Sequence, residues 1–116
     1  MKLLIFLSTF IFNTSVDTSS DQLLPTKLKV TVIDGLGNFV EGAQVLIYEN
    51  EVDYLASENP VEIAKTDKKG HVTFKEVMNI AYFIEAKQGD KNNDGEGVVT
   101  GKLSEGKVNK VNTVIE

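Results

Sequence analysis

Apolar and polar residues alternate with a period of two through most of the chain beyond residue 26, the signature of strands with one face buried and one in water. In a first run, 27–33, Leu28, Val30 and Val32 alternate with Lys27, Lys29 and Thr31. A second run, 43–48, places Val45 and Ile47 on one face and Leu46 and Tyr48 on the other, which predicts a central strand buried on most of both sides. Between them, Asp34-Gly35-Leu36-Gly37-Asn38 is a turn signal, and Phe39-Val40 is a short extended piece before Glu41-Gly42. Residues 61–65 alternate again, and Thr66-Asp67-Lys68-Lys69-Gly70 is expected to close a hairpin onto the run 71–74. Further on, Tyr82, Ile84 and Ala86 share one face of a strand over 81–87, and 98–103 reads as another strand. A closing strand over 108–115 has Val111, Thr113 and Ile115 on one side. With no helical period and no internal repeat, these seven or eight short strands predict an all-β sandwich.

The start of the chain has a different pattern. Met1-Lys2 precedes an apolar run over 3–12, broken only by Ser8 and Thr9, and a polar stretch follows it. The run is well short of the roughly 20 apolar residues that span a bilayer, and it reads as a cleaved secretory signal over 1–20. The expectation is a single domain over 21–116, secreted or periplasmic, with no membrane span once the signal is removed.

Composition narrows the function classes. Acidic residues outnumber basic ones, 17 to 12, and every basic residue is Lys. The chain therefore lacks the planar guanidinium that reads phosphates and base edges bidentately, and nucleic acid is not an expected partner. Cysteine is absent, which removes disulfides, zinc thiolates and a thiol nucleophile together. A lone histidine, His71, begins a strand just past a turn, and no nucleophile or orienting acid is placed near it by the sequence. No enzyme is expected.

Two stretches have the residues for binding. The connection 49–60 places Glu49, Glu51, Asp53 and Glu58 around Val52, Tyr54 and Leu55. It reads either as a solvated loop whose Tyr54 or Leu55 plugs the end of the sandwich, or as a partner-contacting loop with Tyr54 exposed as the anchor. In Asp90-Lys91-Asn92-Asn93-Asp94-Gly95-Glu96, oxygens recur at alternate positions, as in the first half of a calcium loop. Asp90, Asn92, Asp94 and Glu96 are the candidate ligands, although the twelfth position, where a bidentate Glu belongs, is Gly101. The same stretch also reads as a polar Asn/Asp/Gly turn. If the long strands alternate in direction, the 34–38 turn, the 67–70 turn and the 88–97 loop emerge at one end. Asp34 and Asp67 would then join that oxygen-rich patch as partner or cation contacts.

The pattern Asp34-x-x-Gly37-Asn38-x-Val40-x-Gly42-Ala43-x-Val45-x-Ile47-Tyr48, followed by Thr66-Asp67-x-x-Gly70-x-Val72-x-Phe74, resembles the carboxypeptidase regulatory-like domains of transthyretin (prealbumin)-like fold. The resemblance spans about residues 28–116. It implies a Greek-key β-sandwich of the kind common in secreted and surface proteins of the Bacteroidetes type, where such domains are usually non-catalytic modules. The same fold hosts transthyretin-like hydrolases, which need catalytic His and Arg residues and a C-terminal Tyr-Arg-Gly-Ser. This chain has one His and no Arg and ends Asn112-Thr113-Val114-Ile115-Glu116, so that activity does not carry over. The expected function is a secreted binding or structural module acting through end loops or a sheet edge on an extracellular or cell-envelope protein or glycan. The alternative is a calcium-stabilised extracellular module with the metal in the 88–97 loop.

Overall fold

Alternation along Thr26–Asp34 (β1) aims Leu28, Val30 and Val32 at one side of the strand, where each is fully buried. The structure is a computed structural model that describes residues 24–116; the expected signal segment lies outside the described residues. Six further strands follow: Gln44–Tyr48 (β2), Glu62–Lys65 (β3), His71–Val77 (β4), Phe83–Gln88 (β5), Lys91–Asn92 (β6) and Val108–Ile115 (β7). They form a three-stranded sheet, β4-β1-β7, packed on a four-stranded sheet, β3-β2-β5-β6. The chain changes sheet between β1 and β2, β3 and β4, β4 and β5, and β6 and β7, so the fold is an all-β Greek-key sandwich.

The core lies between the sheets. Val45 and Ile47 of β2, Phe74 of β4, Ile84 and Ala86 of β5 and Ile115 of β7 meet the three β1 side chains there, with Ala43, Tyr82 and Leu103. Each large side chain buried this way contributes about 2 kcal/mol of transfer free energy. As its alternation on both faces predicts, β2 is central and its Val45, Leu46, Ile47 and Tyr48 are all buried.

Several expected elements differ. The 66–70 turn does not close a hairpin: β3 pairs antiparallel with β2, and β4 with β1, so the turn passes the chain from one sheet to the other. The final strand runs parallel to β1, from Lys27↔Val108 to Asp34↔Ile115. Residues 98–103 form no strand; Val99 makes a single antiparallel bridge to Phe83, while Thr100 and Leu103 donate backbone hydrogen bonds to Tyr82 and Ile80. Phe39 likewise makes one bridge, to Ile33.

The 49–60 connection contains a helix, Glu51–Ala56 (α1), that periodicity did not predict. Its six residues are too few to display a 3.6-residue period. What forms it is capping. Asn50 accepts the Asp53 N–H through Oδ1 at 2.9 Å and donates Nδ2 to the Asp53 carboxylate at 3.0 Å. Glu51 and Asp53 place negative charge on the first turn, and Ser57 in the left-handed region (φ 52°) ends the helix. This helix lies against β2 and β5, on the outer face of the four-stranded sheet. No helix among the described residues is long and apolar enough to cross a membrane.

Candidate functional site

The end turns are two copies of one structure. In the first, Asp34 Oδ1 accepts the N–H groups of Leu36 and Asn38, both at 2.9 Å. In the second, Asp67 Oδ1 accepts those of Lys69 and His71, at 2.8 and 3.0 Å. The glycine three residues on donates to the aspartate carbonyl in each, Gly37 to Asp34 and Gly70 to Asp67. These backbone donors, Asn38 foremost for Asp34 and His71 for Asp67, hold both carboxyls below their ordinary range. Each carboxylate thus closes its own turn. The two turns lie at one end of the sandwich, since Gly70 accepts the Val32 N–H and Val40 donates to Val32 O. The 88–97 segment starts at that end as well: Gln88 Nε2 donates to Glu41 O at 2.7 Å.

From there the segment runs away across the edge of the sheet. The residue that organises it is Asn93, 1% exposed, which lies between the alternate positions singled out as ligands. Its Oδ1 accepts the Ala86 N–H at 2.9 Å, and its Nδ2 donates to Ile84 O at 3.0 Å and to Thr113 Oγ1 at 2.8 Å. Asn93 thereby continues the β5 ladder with a side chain and ties it to β7. Of the candidate ligands, Asp90, Asn92, Asp94 and Glu96 are all exposed, and Asn92 Oδ1 accepts the Asp94 N–H at 3.0 Å. Among the described residues no three His, Cys, Asp or Glu side chains come together to hold a metal.

Tyr54 is not a free anchor. It is half-buried on α1, stacked on Phe83 with ring centroids 5.7 Å apart and edge-on to Tyr48 at 5.9 Å. The phenol of Tyr48 donates to Glu85 Oε1 at 2.6 Å, and burial followed by this bond pushes its pKa up. The large apolar helix residues that reach solvent are Val52 and Leu55. Beside the aromatic trio, Glu85, Lys87, Asp90 and Asp94 border a shallow, polar concavity of about 640 Å³. The lone His71 packs edge-on against Phe39, 6.1 Å between ring centroids, and opposes Thr31 on β1, a half-exposed cross-strand position. It borders neither this concavity nor the larger groove.

That groove has a volume of about 830 Å³. It lies where β3 and β4, the outermost strands of their sheets on this side, approach each other without pairing. Val61, Val77, Met78 and Tyr82 supply its apolar surface, and Lys27, Lys75, Glu49, Glu62 and Glu76 its charged rim. Buried Tyr82 is fixed there by the Met78 N–H, which donates to its hydroxyl at 2.9 Å. Against β1, the β4 register slips between Leu28↔Phe74 and Thr26↔Val77, so Lys75 and Glu76 bulge and bend the edge at the groove. Met78 remains 51% exposed and Val61 43%, so apolar surface is open beside unpaired backbone. Sequence reasoning named a sheet edge in general terms but neither of these residues, because a groove between two edges depends on which strands end each sheet.

Compared with known proteins, the chain matches no family profile and no curated sequence. It is similar in structure to the Bacillus anthracis TIE protein, with TM-score 0.55 and 16% identity over 78% of this chain and 16% of that one. It is also similar to BcpA*(D312A), the major pilin subunit of Bacillus cereus, with TM-score 0.54 and 15% identity over 80% of this chain and 30% of that one. At these identities the likeness is one of fold. The chain spans less than a third of either protein.

Proposed function

We propose that this chain is a non-enzymatic structural or binding domain of an extracellular assembly, and that it meets its partner at the β3/β4 groove. The observation that supports this reading is the coincidence of two unpaired strand edges with one groove of apolar floor and charged rim. An extended polypeptide segment suits such a surface: backbone hydrogen bonds to an open edge give affinity, and alternate side chains enter the groove. The fold neighbours are compatible with a structural role, one of them being a pilin subunit. The end turns suit a partner less well, because Asp34 and Asp67 spend their acceptor oxygens on their own backbone.

The test compares surface variants in the producing cell. Val61→Asp with Met78→Asp is expected to release the protein from envelope-associated complexes, because both residues lose apolar contact in the groove. Leu36→Asp and Leu55→Asp, at the end turn and on α1, are expected to leave it associated. Retention of the groove variant, with release of either of the others, would move the contact elsewhere.

A further inference from the structure

The outer face of the three-stranded sheet differs in charge from the rest of the molecule. Its outward positions follow from the registers: Lys27, Lys29, Thr31 and Ile33 on β1; His71 and Thr73 on β4; Val108, Lys110, Asn112 and Val114 on β7. Lys29 lies directly beside Lys110 across the parallel pair, and Lys27 opposes the β4 bulge that holds Lys75 and Glu76. Four lysines thus gather on one face of a chain whose net charge is −5. None of them has a carboxylate within ion-pair distance; among the described residues the single such pair is Lys87 with Glu85, on the other sheet, at 3.8 Å.

This arrangement acts against the free protein. Like charges directly opposite in a sheet repel, and Lys29 and Lys110 are so placed. Whereas α1 covers part of the four-stranded sheet, no described element packs on this face. The lysines stand about 4.8 Å apart across strands and about 6.7 Å apart along one; Lys27 and Lys75 border the β3/β4 groove, while Lys29 and Lys110 lie outside it. The one aromatic that reaches this face, Phe39, bridges to Ile33 and packs edge-on against His71, past Thr31 from the lysines, and the chain has no Arg. The lysines themselves therefore stand without the row of stacking rings that single-stranded nucleic acid uses or the Trp and Tyr belt of a membrane interface.

We propose that this face binds a linear anionic polysaccharide, with Lys27, Lys29, Lys75 and Lys110 each meeting a carboxylate or sulfate group along the polymer. Binding relieves the repulsion that the free face sustains. The site is independent of the β3/β4 groove in its deciding residues, since Lys29 and Lys110 do not line that groove.

The test measures the affinity of the purified protein for polygalacturonate and for dextran sulfate, which separate carboxylated from sulfated polymers, alongside vesicles rich in anionic phospholipid. Binding to at least one polymer is expected, weakening by about fifty-fold between roughly 50 and 200 mM salt if the four charges are neutralised. Lys29→Gln with Lys110→Gln is expected to lose at least about tenfold in polymer affinity and yet to melt at a higher temperature. Lys110→Gln alone, at an exposed position, shifts both readings the same way by less, and Lys87→Gln on the opposite sheet leaves affinity unchanged. Undiminished binding by the double variant overturns the proposal. So does the lack of binding to either polymer, or a preference for the vesicles over both.

Discussion

Buried hydroxyls and carboxamides stand where the sheet ladders of this sandwich run out. Thr66 accepts the Ala43 N–H and donates to Val40 O where the chain enters β2; Thr100 accepts the Tyr82 N–H just before β5; Thr113 donates to Glu96 O beside β7. Asn93 is the most heavily used of these groups, and its replacement leaves an N–H, a carbonyl and a hydroxyl without the partner it supplies. Asn93→Ala is expected to cost about 3 kcal/mol, measured by urea unfolding, and Asn92→Ala less than about 1 kcal/mol. A second contrast lies in the twin turns. Gly37 and Gly70 hold equivalent positions with φ of 87° and 74°, but a Cβ on Gly70 would stand 2.7 Å from Val32 O, while one on Gly37 meets nothing within 4 Å. Gly37→Ala is expected to cost about 1 kcal/mol, the ordinary penalty of the left-handed region, and Gly70→Ala clearly more, in the same unfolding experiment.

At the scale of elements, what was legible in the sequence is what a period of two records. β1, β2, β5 and β7 were readable because Leu28, Val30 and Val32, and their counterparts elsewhere, alternate over five residues or more. Pairing was not: whether 66–70 closes a hairpin or crosses between sheets depends on which partners β3 and β4 find, and both outcomes satisfy the same turn residues. The helix α1 left one local sign, Asn50 three residues before Asp53, which a reading based on periodicity passes over. Residues 98–103 alternate too weakly to form a strand and follow the chain around Tyr82 through the Val99 bridge and isolated backbone hydrogen bonds. In the 88–97 segment the alternate-oxygen pattern drew attention to Asp90, Asn92, Asp94 and Glu96, while the residue that shapes the segment is the intervening Asn93, whose burial only the tertiary structure reveals. Calcium at about 1–5 mM is accordingly expected to leave the thermal unfolding of the protein unmoved relative to EDTA. A saturable rise that is lost in Asp94→Ala would restore a metal to this segment.

For the molecule as a whole, the two sheets present different surfaces. One bears the lysine face; the other bears α1, with Glu51 and Asp53, and the bordering Glu85 and Asp94. The β3/β4 groove opens between them, where neither sheet continues. The resemblance read from the turn and core residues led to a Greek-key sandwich, which the two sheets bear out, but those residues shape the turns and the core and do not mark a contact surface. Whether the partner sits in the groove is read out by site-specific photo-crosslinking in the producing cell, with a photoreactive residue placed in turn at Val61, Met78, Leu36 and Leu55. Crosslinks to one partner are expected from Val61 and Met78, and none from the end turn or the helix. Crosslinks from Leu36 or Leu55, with Val61 and Met78 silent, would contradict contact at the groove.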